Sequence, residues 1–200
     1  MHQDQVVGLL VPFLHEECGV PYANMVIVIA LGTHRPNTED EMKRLVTPEV
    51  YEKVRVVNHD CDAPDLVYIG TTSRGTRVEG NPLAVGRKVI LIGGTVHRLM
   101  AGFGGGRKSV LPGISSRQTI RRNHERALSP TLPCTDEKVG SGKLPLNPIH
   151  EDMDEAAELL SPTFGINIVI APSGRHSGLF CGNWRTAWQA SCRYQQQCYE

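Results

Sequence analysis

Two hundred residues, 40% apolar and 21% charged, are enough for one large domain and exclude a disordered chain. Twenty-one basic residues balance 21 acidic ones, which argues against nucleic acid or an anionic membrane as the main partner. The longest apolar run, residues 25–31, falls far below the ~20 residues that a membrane-spanning helix needs.

Residues 6–14 are mostly apolar. No Lys or Arg precedes them and His15-Glu16-Glu17 follows, unlike a secretory signal. Val6, Leu10, Phe13 and Leu14 share one face at helical spacing, which predicts an amphipathic helix bent near Pro12. Residues 24–31 are a β-branched run expected to form a strand buried on both faces. The run ends in a loop, Gly32-Thr33-His34-Arg35-Pro36-Asn37, and Thr38-Glu39-Asp40-Glu41 then opens a helix as a capping box. Short strands are predicted at 54–57 and 66–69, with a hairpin or loop around Gly75-Thr76-Arg77. Residues 88–93 read as a second buried strand, followed by a glycine-rich loop over 101–113. Ser115 or Ser116 caps a helix running to about Leu128. Pro130, Pro133, Gly140, Gly142, Pro145 and Pro148 make 129–148 a surface loop. A helix at 152–160, a strand at 166–171 and a last helix at 184–197 complete the chain.

Alternating strands and helices predict an α/β fold, Rossmann-like, with a parallel or mixed sheet covered by helices on both faces. Ligands of such sheets sit in loops at the carboxyl ends of strands. Two loops meet that rule, 32–36 and 93–113. Cys18, Cys61, Cys134, Cys181, Cys192 and Cys198 include no Cys-x-x-Cys pair and are expected to be reduced thiols of a cytoplasmic protein.

The glycine loop, Ala101-Gly102-Phe103-Gly104-Gly105-Gly106-Arg107-Lys108-Ser109-Val110-Leu111-Pro112-Gly113, carries the most information. Glycines let backbone N–H groups approach an anion, and Arg107 and Lys108 add positive charge. A nucleotide P-loop is excluded by spacing, because Lys108-Ser109 would require glycine at 107. A dinucleotide fingerprint fails at the same position. Three histidines could converge on the loop: His34 beyond the first strand, His97 beyond the second and His124 on the following helix. Imidazole titrates near neutrality and suits proton transfer. His2, His15, His59, His150 and His176 have no comparable context.

Leu31-Gly32-Thr33-His34-Arg35-Pro36 with Thr38-x-x-Glu41, then the glycine loop from Ala101 to Gly113, then Asn123-His124, resemble the N-terminal domain of the nickel-dependent lactate racemase family. Asn147-Pro148-Ile149-His150-x-Asp152-Met153, Gly182-x-Trp184 and a Cys192-containing final helix extend the likeness over nearly all of residues 1–200. Family members are roughly twice as long, so their upstream strand and C-terminal domain are expected to be missing here. The resemblance implies racemisation or epimerisation of a 2-hydroxy acid, lactate first, through a lysine-tethered nickel-pincer nucleotide. It places that cofactor on Lys108, with Gly105, Gly106 and Arg107 beside its phosphate, and makes His124 the nickel ligand. One imidazole can complete a four-coordinate planar Ni(II) site. His34 and a second histidine would be acid–base partners on opposite sides of the substrate, and cofactor-making proteins are implied as partners. The family spacing puts that second histidine at position 98, where this chain has Arg98, with His97 one residue earlier. Either His97 is the second catalytic group, or Arg98 binds the substrate carboxylate without acting as a base. A phosphate- or nucleotide-binding domain without nickel, and an inactive family member, are the alternatives.

Overall fold

The computed structural model describes residues 2–171 and 175–199, with the side chain of residue 199 left aside. Helix α1 (Gln3–Glu16) contains Pro12, as expected. Its buried face is not the one predicted. Val7 and Val11 turn inward while Phe13 is 53% exposed. They meet Val46, Val50 and Val54 of the next two helices, with Ile27, Val56 and Ile92 closing the cluster.

Strand β1 (Val26–Ile29) pairs in parallel with β2 (Arg55–Asn58), Val26 opposite Arg55 and Ile29 opposite Asn58. The crossover between them is made of α2 (Glu39–Val46) and α3 (Pro48–Lys53). Both halves of the expected capping box form: Glu41 N–H donates to Thr38 Oγ1 at 3.3 Å, and Thr38 N–H to Glu41 Oε2 at 2.8 Å. Helix α3 was not legible in the sequence; Thr47 ends α2 and caps α3 by accepting from Val50 N–H. β1 is shorter than the apolar run and only half-buried, a correction to the strand expected to be covered on both faces. β2 is its one strand partner among the described residues.

Strands β3 (Val67–Thr71) and β4 (Arg77–Gly80) form an antiparallel hairpin. Its tip turns at Gly75, whose φ of 77° is a left-handed conformation that glycine adopts freely. Strand β5 (Ile90–Thr95) leads into a small antiparallel ribbon, β6 (His97–Arg98) with β7 (Gly102–Phe103). Helix α4 (Arg117–His124) starts at Ser116, whose hydroxyl accepts from Thr119 N–H at 3.1 Å. Helix α5 (Pro148–Leu160) begins a turn earlier than predicted, since Asn147 Oδ1 caps the N–H groups of Ile149 and His150 and proline suits the first helical position.

Strand β8 (Phe164–Ile170) lies parallel to β5, Ile90 opposite Phe164. The unpredicted β9 (His176–Gly182) runs antiparallel to β8. The resulting mixed sheet, ordered β5-β8-β9, is packed by α6 (Trp184–Tyr199). The fold is thus the mixed α/β class expected, divided into small sheets rather than one continuous one.

One buried carboxylate joins three elements. Asp152 of α5, fully buried, accepts from Thr72 Oγ1 at 2.7 Å, Thr76 Oγ1 at 2.9 Å and Asn123 Nδ2 at 2.9 Å, and Arg126 pairs with it at 3.3 Å. Hairpin, α4 and α5 are locked together there, and the orientation of α4 fixes His124. Among the described residues, no helix is long and apolar enough to cross a membrane.

Candidate functional site

The glycine loop is held from below. Trp188 of α6 donates from Nε1 to Gly104 O at 2.8 Å, and its ring carries the Arg107 guanidinium 3.9 Å from its centre. Arg107 is completely buried and donates to Ala101 O at 2.7 Å and Phe103 O at 3.4 Å. Burial pushes its pKa down to about 10. A guanidinium spent on two carbonyls and an indole cannot also meet a ligand phosphate, so the expectation for Arg107 is corrected: it organises the loop from inside.

Gly106 is likewise committed. Its N–H donates to Asn167 Oδ1 at 3.1 Å, and a Cβ there would lie 2.5 Å from the Trp188 ring. That N–H is not available to cradle an anion, which corrects the second loop expectation. Gly105 lies between Thr95 and Asn167, where a Cβ would come within 3.1 Å of both side chains, and its N–H makes no hydrogen bond among the described residues. Asn167 was missed as a loop anchor, although a lone amide inside Ile166-Asn167-Ile168-Val169 was its signal. A buried polar group on a central strand needs a partner.

Lys108 lies on the short 3-10 turn Gly106–Ser109. Its amine makes no hydrogen bond or ion pair among the described residues. Burial, then the positive charges of Arg98 and Arg107, push its pKa down to about 8. His124 ends α4 within electrostatic reach of that amine. Its Nδ1 donates to Ile120 O at 2.8 Å, leaving the Nε2 lone pair outward, and burial lowers its pKa, with Lys108 a further contribution in the same direction. A neutral imidazole with Nδ1–H fixed by a backbone carbonyl is the state in which histidine ligates metals. Lys108 and His124 therefore lie within electrostatic reach of each other.

The family model described as "Lactate racemase N-terminal domain" matches residues 1–133. The chain belongs to this lactate racemase family. It is 36% identical over 178 residues to the lactate racemase of Thermoanaerobacterium thermosaccharolyticum, which covers 86% of this chain and 40% of that one. With the lactate racemase of Lactiplantibacillus plantarum it shares 32% over 179 residues, covering 88% and 41%. The structure of the lactate racemase apoprotein from T. thermosaccharolyticum superposes with a TM-score of 0.84 at 34% identity, over 94% of this chain and 44% of that chain. A Thermotoga maritima crystal structure at 22% identity shares the fold, with a TM-score of 0.81 over 98% and 51%. The chain thus spans well under half the length of the curated lactate racemases it matches.

Against the lactate racemase pattern, the β6–β7 ribbon separates the two candidates for the second position. Neighbours on a strand face opposite ways. His97 lies across from Phe103, with ring centres 4.7 Å apart, and next to Gly142. Arg98 projects the other way, over Gly104 and towards Lys108. The two side chains therefore leave the ribbon on opposite faces, His97 against Phe103 and Arg98 over Gly104. His34 occupies the exposed turn after β1, which is tied to the end of the glycine loop by Gly32 N–H donating to Gly113 O at 2.9 Å. Its neighbour Arg35 is held by Glu41 through two bonds of 2.7 and 2.8 Å. His34 thus stands at the loop's far end, and no hydrogen bond joins it to Lys108 or His124 among the described residues.

Proposed function

We propose that this chain is the cofactor-holding domain of a 2-hydroxyacid racemase or epimerase, with lactate the first candidate substrate. The observation that supports it is the pairing of a half-buried, weakly basic Lys108 amine with a neutral His124 whose Nε2 is unengaged. In this reading Lys108 carries the nickel-pincer nucleotide through a thioamide, and His124 is the protein ligand to its nickel. When bound, that group would supply a reversible hydride acceptor for the C2 hydrogen of the substrate. Both residues fit that group: a lowered lysine pKa favours the nucleophilic amine at neutral pH, and imidazole suits Ni(II).

The remaining residues have narrower duties. Trp188, Arg107 and Asn167 hold the loop so that Lys108 leaves it in one direction. Asn123, bonded to Asp152 and to Ile149 O, fixes the last turn of α4 and so the imidazole. His34 is the proposed acceptor of the substrate hydroxyl proton, and Gly105 flanks the cofactor. Cofactor-making proteins are the implied partners, and a reducing cytoplasm suits six unpaired thiols.

Co-expression with the cofactor-making proteins, followed by digestion, mass spectrometry and nickel analysis, tests this reading. A modified peptide containing Lys108 is expected; unmodified lysine beside a modified full-length racemase control overturns it. His124→Ala should lose nickel while keeping the lysine linkage, and retained nickel overturns the ligand assignment.

A further inference from the structure

His2 and His176 stand near opposite ends of the chain, yet their rings meet, with centres 4.7 Å apart and planes at 77°. His2 precedes α1, the helix packed on α2 and α3, and His176 opens β9, the edge strand of the β5-β8-β9 sheet. Both side chains are exposed. His2 holds the N-cap position of α1 but makes no side-chain capping bond, and its φ of 55° is a left-handed conformation unfavourable to a residue with a Cβ. Neither ring makes a hydrogen bond or ion pair among the described residues. The other ring contacts of histidine there are with aromatic side chains: His15 with Tyr22, His97 with Phe103 and His150 with Trp188. Among the described residues, one imidazole meets another only at this point. Two metal-ligating groups thus face each other from separate elements.

We infer that His2 and His176 form a two-histidine site for a divalent transition-metal ion of the zinc class. Imidazole nitrogen is the commonest side-chain donor to such ions. Two imidazoles bound side by side to one metal at ~2.0–2.1 Å place their ring centres about 4.5–5.2 Å apart. The observed 4.7 Å falls within that span, so neither backbone has to move. Exposed side chains turn about their own bonds within nanoseconds, which brings the nitrogen-bearing edges onto the ion. Water fills the remaining positions, since both rings are open to solvent. The ion ties the start of α1 to the first residue of β9 and stabilises the folded state by mass action. The inference draws on neither the proposed cofactor nor His124.

Titration of the 200-residue chain with zinc, followed by NMR of the histidine side chains, tests the site. The His2 and His176 signals are expected to move together and to saturate at the same zinc concentration. His176→Gln should abolish the movement of His2, and His2→Gln that of His176. Zinc should also raise the unfolding temperature of the parent chain more than that of either variant. Exposed thiols are zinc ligands too, so the titration is repeated with Cys18→Ser, Cys134→Ser and Cys181→Ser combined, where the histidine response should persist. Circular dichroism verifies that each variant is folded. Signals that fail to saturate, that move independently, or that still move when the partner histidine is replaced overturn the inference and leave an edge-on ring contact alone. A response that disappears with the thiols overturns it as well.

Discussion

The guanidinium of Arg107 lies over Trp188, 3.9 Å from the ring centre, while both side chains bond to carbonyls of the same loop. Three carbonyls of the loop, at 101, 103 and 104, are thereby held from beneath, and Lys108 follows Arg107 directly in the chain.

Arg107→Lys should destabilise the chain by about 2–3 kcal/mol, because an ammonium cannot span the Ala101 and Phe103 carbonyls or stack on indole. Trp188→Phe should cost about 1–3 kcal/mol by losing the bond to Gly104 and leaving a gap. Chemical denaturation measures both. A cost below about 0.5 kcal/mol for Arg107→Lys would show that the loop is not held this way.

Asp152→Ala should be more severe, about 3–5 kcal/mol, because Thr72, Thr76, Asn123 and Arg126 lose a shared acceptor in a buried setting. Hydrogen exchange should show the β3–β4 hairpin and α4 loosening together. If only one of them loosens, Asp152 is not the joint between them.

Lys108 should be the most reactive amine of the chain near pH 8. With a pKa of about 8 roughly half of it is neutral there, whereas an ordinary lysine near 10.4 is under about 1% neutral. Limited acylation with peptide mapping should find Lys108 ahead of Lys43 and Lys138. Arg98→Gln removes a neighbouring cation, so the Lys108 pKa should rise and labelling at pH 8 should slow. Faster labelling in that variant would contradict the electrostatic contact.

His150 gives an acid-side prediction. Burial, with Arg107 and Arg185 adding to it, holds its pKa at about 3, and its ring packs on Trp188. The folded chain therefore keeps a neutral imidazole while the unfolded chain takes up a proton below about pH 6.5. Stability is unaffected above that pH and falls as pH drops from 6.5 towards 3, by at most about 2 kcal/mol at pH 5. His150→Gln should flatten the slope of unfolding free energy between pH 6.5 and 4.5. An unchanged slope would place the acid sensitivity elsewhere.

Local chemistry carried most of the fold. The Thr38 capping box, the Ser116 cap and the turn at Gly75 each depend on a few neighbouring residues, and each forms where the chain places it. β9 escaped notice because His176-Ser177-Gly178-Leu179-Phe180-Cys181-Gly182 lacks the β-branched alternation that marks a strand; it exists through pairing with β8. The inward face of α1 was misplaced by one residue, since which hydrophobic stripe faces inward is set by α2 and α3 and not by the stripe. At the site, Lys108 and His124 were singled out by the family resemblance and not by spacing alone. The burial of Arg107 was not legible, because the indole that receives it lies 81 positions further along the chain.

The two-residue strand β6 has a consequence for how such sites diversify. Its side chains alternate, His97 packing on Phe103 and Arg98 lying over Gly104. Loss of a single position in the turn between β6 and β7 would bring an imidazole into the place of the guanidinium. A proton carrier and a permanent cation are therefore one short deletion apart, and that edit leaves every larger element of the domain untouched.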